Sequence, residues 1–244
     1  MRILGIEFFE GTARSAVDAA LKRGGLIVAP SATCFTRLQH DEVYRTAMTQ
    51  ADLVLPDSGL MVLLWRRLRG QQLTRISGLA YLQELLTRSD LKAAGRTVWV
   101  LPNEEARGKT MSWLRDHGLH CAAEDFYVAP MYDDRVEDAA LAQLIDLRRP
   151  RHVIIALSGG VQEKLGFYLR GQCRHRPAIH CIGAALGFIA GYQVAIPDWA
   201  DRLYLGWFLR LLSNPRRFAP RALNAFALRG MIRRFGEQLP EERK

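Results

Sequence analysis

Short, uniformly apolar runs recur along this chain, and each is closed by a turn or a proline before a helical stretch begins. The clearest is H-V-I-I-A-L at His152–Leu157, ended by Ser158-Gly159-Gly160. Gly25–Pro30 (G-L-I-V-A-P), Leu53–Leu55, Arg96–Leu101 (R-T-V-W-V-L) and Ala178–Ile182 follow the same pattern, and Ala122–Tyr127 is a further candidate. A run that is apolar at every position suits a strand covered on both faces. The stretches between have helical periodicity: Ala13–Arg23, His40–Gln50, Leu60–Arg69, Leu79–Arg88, Glu104–His117 with Gly118 as its stop, Asp138–Arg149 ending before Pro150, and Gln162–Cys173. Strands joined through helices of this length pair in parallel. The expected fold class is therefore α/β, a parallel sheet with helices on both faces, Rossmann-like.

Such a sheet offers its ligand site at the carboxyl ends of its strands. Three loops would converge there: Pro30–Thr33, Asp57–Gly59 and Ser158–Glu163. In A-D-L-V-L-P-D-S-G-L-M-V at Ala51–Val62, Pro56 stops the strand and Asp57 enters the turn. An acid there can serve as a base, and it can equally cap the helix that follows. The Ser158-Gly159-Gly160 loop can present backbone N–H groups to a phosphate or can be a plain tight turn. Neither G-x-G-x-x-G nor G-x-x-x-x-G-K-[ST] occurs, which disfavours a dinucleotide site and a P-loop. A D-x-D motif for a diphosphate-bound metal is also missing, and Asp133-Asp134 reads as a solvated loop. The six histidines, at 40, 117, 120, 152, 175 and 180, lack ligand spacing and read as structural.

With 244 residues and 49% hydrophobic content, the chain suits one large domain, or a domain with an appendage. Its formal charge of +9 points to an anionic partner. The charge is carried mainly by arginine, which forks onto phosphate oxygens. Cys34, Cys121, Cys173 and Cys181 have neither zinc nor disulfide spacing, which suits a reducing cytoplasm. The N-terminal segment has no apolar h-region, so no signal peptide is expected. The longest uncharged stretch, Cys181–Ile196, is too short to span a bilayer.

The composition changes near Pro197. Between Arg202 and Gly236 there is no acid, and eight arginines (202, 210, 216, 217, 221, 229, 233 and 234) are interleaved with Tyr204, Trp207, Phe208, Phe218, Phe226 and Phe235. The expected division is an α/β core over 1–196 and a basic amphipathic helical appendage over 197–244. Helices of this kind suit an anionic membrane surface; a cap packed on the core and a nucleic-acid contact are the other readings.

Five segments in register resemble the WecG/TagA/CpsF family of glycosyltransferases. They are A-D-L-V-L-P-D-S-G at 51–59, R-I-S-G-L-A-Y-L at 75–82, I-A-L-S-G-G-V-Q-E-K at 155–164, G-A-A-L-G-F-I-A-G at 183–191, and P-D-W-A-D-R-L-Y-L-G-W-F-L-R-L-L-S-N-P-R-R at 197–217. The resemblance implies an inverting transfer of a sugar from a UDP-sugar donor to a lipid-linked glycan on polyprenyl diphosphate, in cell-surface or exopolysaccharide synthesis. It implies no cofactor, no metal and no nucleic acid. It places the protein in the cytoplasm, peripheral on the inner face of the bacterial plasma membrane, where other polysaccharide-assembly proteins are candidate partners.

Carried over residue by residue, the resemblance makes Asp57 the base. It makes Ser31, Thr33, Arg75, Gly78, Ser158, Gly159, Gln162 and Glu163 the substrate pocket, with Arg75 and the Ser158–Val161 loop meeting the leaving UDP. Arg210, Arg216, Arg217 and Arg221 would hold the acceptor diphosphate at the membrane. The chain departs from the family pattern at several polar positions. T-P-N becomes Ala29-Pro30-Ser31, so Ser31 or Thr33 would stand in for the lost hydroxyl. The Asp of G-x-D-L falls on Ala80 and the Asp of F-D-F on Gly187. The Pro and Lys of P-k-Q-E fall on Gly160 and Val161, the Arg of R-A-P on Ala195, the Glu of E-W on Gly206, and the Gly of the Asp-Gly turn on Ser58. These departures imply an altered donor, or alternatively a degenerate member that binds glycan lipid, UDP or a partner transferase without turnover.

Overall fold

The computed structural model describes residues 1–193 and 227–242. Its centre is a six-stranded sheet. The strands are β3 (Gly25–Val28), β4 (Leu53–Val54), β5 (Thr97–Leu101), β6 (Phe126–Val128), β7 (His152–Ile155) and β8 (Ala178–Cys181), in the order β4-β3-β8-β7-β5-β6. Every pairing in it is parallel. Before it comes a short antiparallel hairpin, β1 (Arg2–Ile3) with β2 (Ile6–Glu7). Phe8 then bridges in parallel to Val54, continuing the β4 edge.

The helices are α1 (Ala13–Arg23), α2 (Glu42–Thr49), α3 (Gly59–Arg69), α4 (Gly78–Leu86), α5 (Glu104–Asp116), α6 (Ala139–Arg148), α7 (Val161–Gln172) and α8 (Ala185–Ile189). Their starts obey local chemistry. Thr12, Asp41, Ser58, Ser77, Asn103 and Asp138 each accept a backbone N–H of the first turn. Two apolar layers sandwich the sheet. One holds Ala16, Val17, Tyr81, Leu85, Ala106, Leu114 and Leu186, from α1, α4, α5 and α8. The other holds Tyr44, Met48, Met61, Trp65, Leu141, Ile145, Leu165 and Leu169, from α2, α3, α6 and α7. Strands between two such layers have no solvent face, which is why β3, β5, β7 and β8 are buried at every position.

The fold expectation therefore holds, with helices on both faces of a parallel sheet. Strand and helix limits fall within a few residues of those expected, and the expected strand at Ala122–Tyr127 begins later, at Phe126, after a 3-10 turn over Ala123–Asp125. The hairpin β1–β2 was not expected from sequence; two-residue strands carry no periodicity.

From β3 the chain moves outward to β4, and the later strands then fill the other side of β3. The winding reverses beside the carboxyl ends of β3 and β8, which is where such sheets open a crevice. Residues 227–235 are helical and lie on the second layer, with Leu228, Met231 and Ile232 buried in it. The boundary expected at 196/197 falls outside the described residues.

Candidate active site

Asp57 follows β4 and does not cap α3. That cap is Ser58, whose hydroxyl accepts the Met61 N–H at 3.2 Å. The Asp57 carboxylate turns instead to the start of α4, where Oδ1 accepts the Gly78 N–H at 2.9 Å. The positive end of that helix lies against it. Arg75 supports the same residue twice: Nε donates to the Asp57 carbonyl at 2.7 Å, and Nη2 lies 3.9 Å from Oδ1. The Asp57 side chain remains 26% exposed. Gly78 sits where three elements close in. A Cβ built there would lie 3.1 Å from the Ile182 carbonyl oxygen and 3.6 Å from the Ala29 Cβ. Asp57, Arg75 and Gly78 thus form one cluster at the ends of β3, β4 and β8.

A second cluster forms across the β8 end. Ser31 opens a 3-10 turn over Ala32–Gln39, and its Oγ lies 3.0 Å from Thr33 Oγ1 and 3.3 Å from Cys34 Sγ. A Cβ built on Gly159 would lie 2.7 Å from Cys34 Sγ and 4.0 Å from Ser31 Oγ. The β3 and β7 loops therefore touch, which brings Ser31, Thr33 and Gly159 close together. Burial raises the Cys34 thiol above its ordinary pKa, which keeps it neutral as a packing group.

Gln162 and Glu163 do something other than face solvent. Both are buried. Glu163 Oε2 accepts the Gly160 N–H at 2.6 Å, and Oε1 accepts from Gln162 Nε2 at 3.1 Å. Gln162 Oε1 accepts the Gly183 N–H at 2.7 Å. The pair ties the β7–α7 loop to the β8–α8 loop. Burial pushes the Glu163 carboxyl above the usual range, outweighing its hydrogen bonds and the nearby Arg37 charge. Val161 and Gln162 N–H both point to the Ser158 carbonyl, at 3.2 and 3.1 Å. The first amides of α7 are thus occupied within the protein, which leaves the Ser158–Gly160 loop fewer free N–H groups than its glycines suggest.

Sequence reading missed Arg37, whose guanidinium lies on Gly160. No motif marks it; only the fold of the 3-10 turn brings it to the α7 loop. The departures are also visible in space. Ala29 is buried in the first layer. A Cβ on Gly187 would lie 2.6 Å from Gln193 Cγ and 2.9 Å from Tyr192 Cε2. The chain's own residues 192 and 193 therefore fill the space beside Gly187. Ala195, Gly206, Arg210, Arg216, Arg217 and Arg221 lie outside the described residues. Among the described residues, no cluster of three or more His, Cys, Asp or Glu could hold a metal, and no helix is long and apolar enough to cross a membrane.

A doubly wound parallel sheet with Asp57 and Arg75 at its switch point defines an α/β protein of the Rossmann-like class. The comparisons narrow it further. Residues 1–239 match the glycosyl transferase WecG/TagA/CpsF family, and the chain belongs to that family. A relative is the N-acetylglucosaminyldiphosphoundecaprenol N-acetyl-beta-D-mannosaminyltransferase of Bacillus subtilis (strain 168), 27% identical over 180 residues, which cover 73% of this chain and 67% of that protein. The chain is accordingly a glycosyltransferase.

Proposed function

We propose that this glycosyltransferase moves a sugar from a UDP-sugar donor to a glycan carried on polyprenyl diphosphate, with inversion and without a metal, at the inner face of the plasma membrane. The observation that carries the reading is the Asp57 carboxylate, held at the switch point by the Gly78 N–H at 2.9 Å and flanked by Arg75. In the reaction, Asp57 takes the proton of the acceptor hydroxyl. The freed oxygen attacks the anomeric carbon from the face opposite the departing group, the bond to UDP breaks, and the sugar's configuration inverts. Arginine side chains balance the charge on the leaving diphosphate.

The acceptor class is supported by the name of the Bacillus subtilis relative, which acts on a diphosphoundecaprenol-linked sugar. The excess of basic residues and the arginine-aromatic segment from 197 onward support a place on anionic lipid, with Arg210, Arg216, Arg217 and Arg221 near the acceptor diphosphate. Assembly of cell-surface polysaccharide or exopolysaccharide follows from that acceptor. The filled space at Gly187 and the apolar Ala29 support a donor different from the relative's. They also favour the second reading, a member that binds UDP or glycan lipid without turnover.

A donor screen separates the two. Purified protein is offered a panel of UDP-sugars with a lipid-linked acceptor, and UDP release is measured beside thermal shift. The expected result is release from one donor, reduced roughly 10²- to 10⁴-fold by Asp57→Asn. Asparagine keeps an oxygen for the Gly78 N–H, so the variant should still fold and bind UDP. Thermal shift with UDP but no release from any donor establishes the second reading.

A further inference from the structure

Two successive glycines in the β7–α7 loop each receive a side chain from the 3-10 turn that follows β3. Gly159 receives Cys34, and Gly160 receives Arg37. A Cβ built on Gly160 would lie 2.6 Å from Arg37 Nε and 2.7 Å from Cζ, so any other residue there would displace the guanidinium. Gly160 also has φ of 93°, a conformation that side chains disfavour. The loop is therefore built around the arginine. The Arg37 side chain stays 46% exposed, and its nearest carboxylate, Asp41, is 3.8 Å away and shared with Lys164 at 3.1 Å. Among the described residues the guanidinium makes no hydrogen bond, which leaves its five donors available.

The setting calls for such a charge. Glu163 and the Ser158 carbonyl already occupy the first amides of α7. Here the glycine opens the space and the opposite loop supplies the cation. Building on the function proposed above, we propose that Arg37 binds the diphosphate of a substrate, from across the loop. Its planar fork suits two phosphate oxygens at once.

The diphosphate can belong to the nucleotide or to the lipid carrier, and two titrations distinguish them. Calorimetry with UDP and, separately, with a short-chain prenyl diphosphate is run on wild type, Arg37→Gln, Arg37→Lys and Gly160→Ala. The nucleotide is expected to respond: Arg37→Gln weakens UDP binding roughly 10- to 100-fold, and Arg37→Lys restores part of it. Gly160→Ala, which displaces the guanidinium with the arginine still present, is expected to give a loss at least as large. A loss confined to the prenyl diphosphate assigns Arg37 to the carrier. Arg37→Gln binding both probes within twofold of wild type overturns the proposal. Wild type that binds prenyl diphosphate but no UDP refutes the donor assignment above, and the prenyl arm then still decides for or against Arg37.

Discussion

Asp57 shows what a single position can and cannot reveal in sequence. The turn Pro56-Asp57-Ser58 locates an acid at a strand end, and that much was legible. Which helix the acid serves was not, because the partner amide of Gly78 lies 21 positions away. Ser31, Thr33 and Gly159 were singled out by a family resemblance, and the structure brings them close together; Arg37 was invisible because its partner is a glycine on another strand's loop. Gly187 carries a sharper lesson. Its missing side chain reads as a lost polar group, yet the N–H groups of Tyr192 and Gln193 both donate to the Gly187 carbonyl, at 3.1 and 3.0 Å, and their side chains cover it. Placing an aspartate there with Gly187→Asp alone should therefore destabilise the fold by about 1–3 kcal/mol through overpacking. Adding Gln193→Ala should recover part of that loss. Thermal melting of the single and double variants checks this; equal melting of wild type and Gly187→Asp would sink it.

Elements were legible where they were long or uniformly apolar. The strands of the sheet declared themselves through runs such as H-V-I-I, and the helices through caps such as Asp41 and Asn103. The short hairpin β1–β2 depends on tertiary partners, and no local pattern encodes it. Two histidines show how neighbouring strands and a helix interlock. The Tyr81 hydroxyl lies 2.9 Å from His180 Nδ1, and His180 Nε2 lies 3.2 Å from His152 Nδ1, a buried row from α4 through β8 to β7. Burial drives both imidazoles below their ordinary pKa, His152 to about 4. The folded protein thus keeps them neutral while the unfolded chain takes up protons below about pH 6.5. Stability is complete above that value and falls as pH drops toward 4, by up to about 1.4 kcal/mol per pH unit from His152, with His180 acting in the same direction. Urea unfolding at pH 7.0, 6.0 and 5.0 measures it. A flat midpoint across that window would show that the imidazoles titrate normally.

At the scale of the whole molecule, the last described residues are structural. Leu228, Met231 and Ile232 are buried, and each contributes roughly 1.5–3 kcal/mol by leaving water. The Leu4 and Gly5 N–H groups donate to the carbonyls of Gly236 and Glu237 at 2.8 and 2.9 Å, and Arg69 Nη2 donates to Ile232 O at 3.1 Å. Cutting the chain after residue 196 should therefore lower the melting temperature sharply or leave the protein insoluble, as circular dichroism of the truncated form would show. Membrane attachment is better tested in the full chain. Replacing Arg210, Arg216, Arg217 and Arg221 by Gln should preserve melting and abolish co-sedimentation with anionic vesicles. If that variant still sediments with the vesicles, these arginines are not the anchor. The sequence showed a change of composition near Pro197 but gave no sign that the chain returns to its own beginning. That return sets an order of events. A bond from Leu4 to Gly236 is among the most non-local contacts a chain of this length can form, and such closures come late in folding. During synthesis the hairpin waits for its partner until the cationic segment has already been made, so a nascent chain acquires its basic surface before its fold is finished.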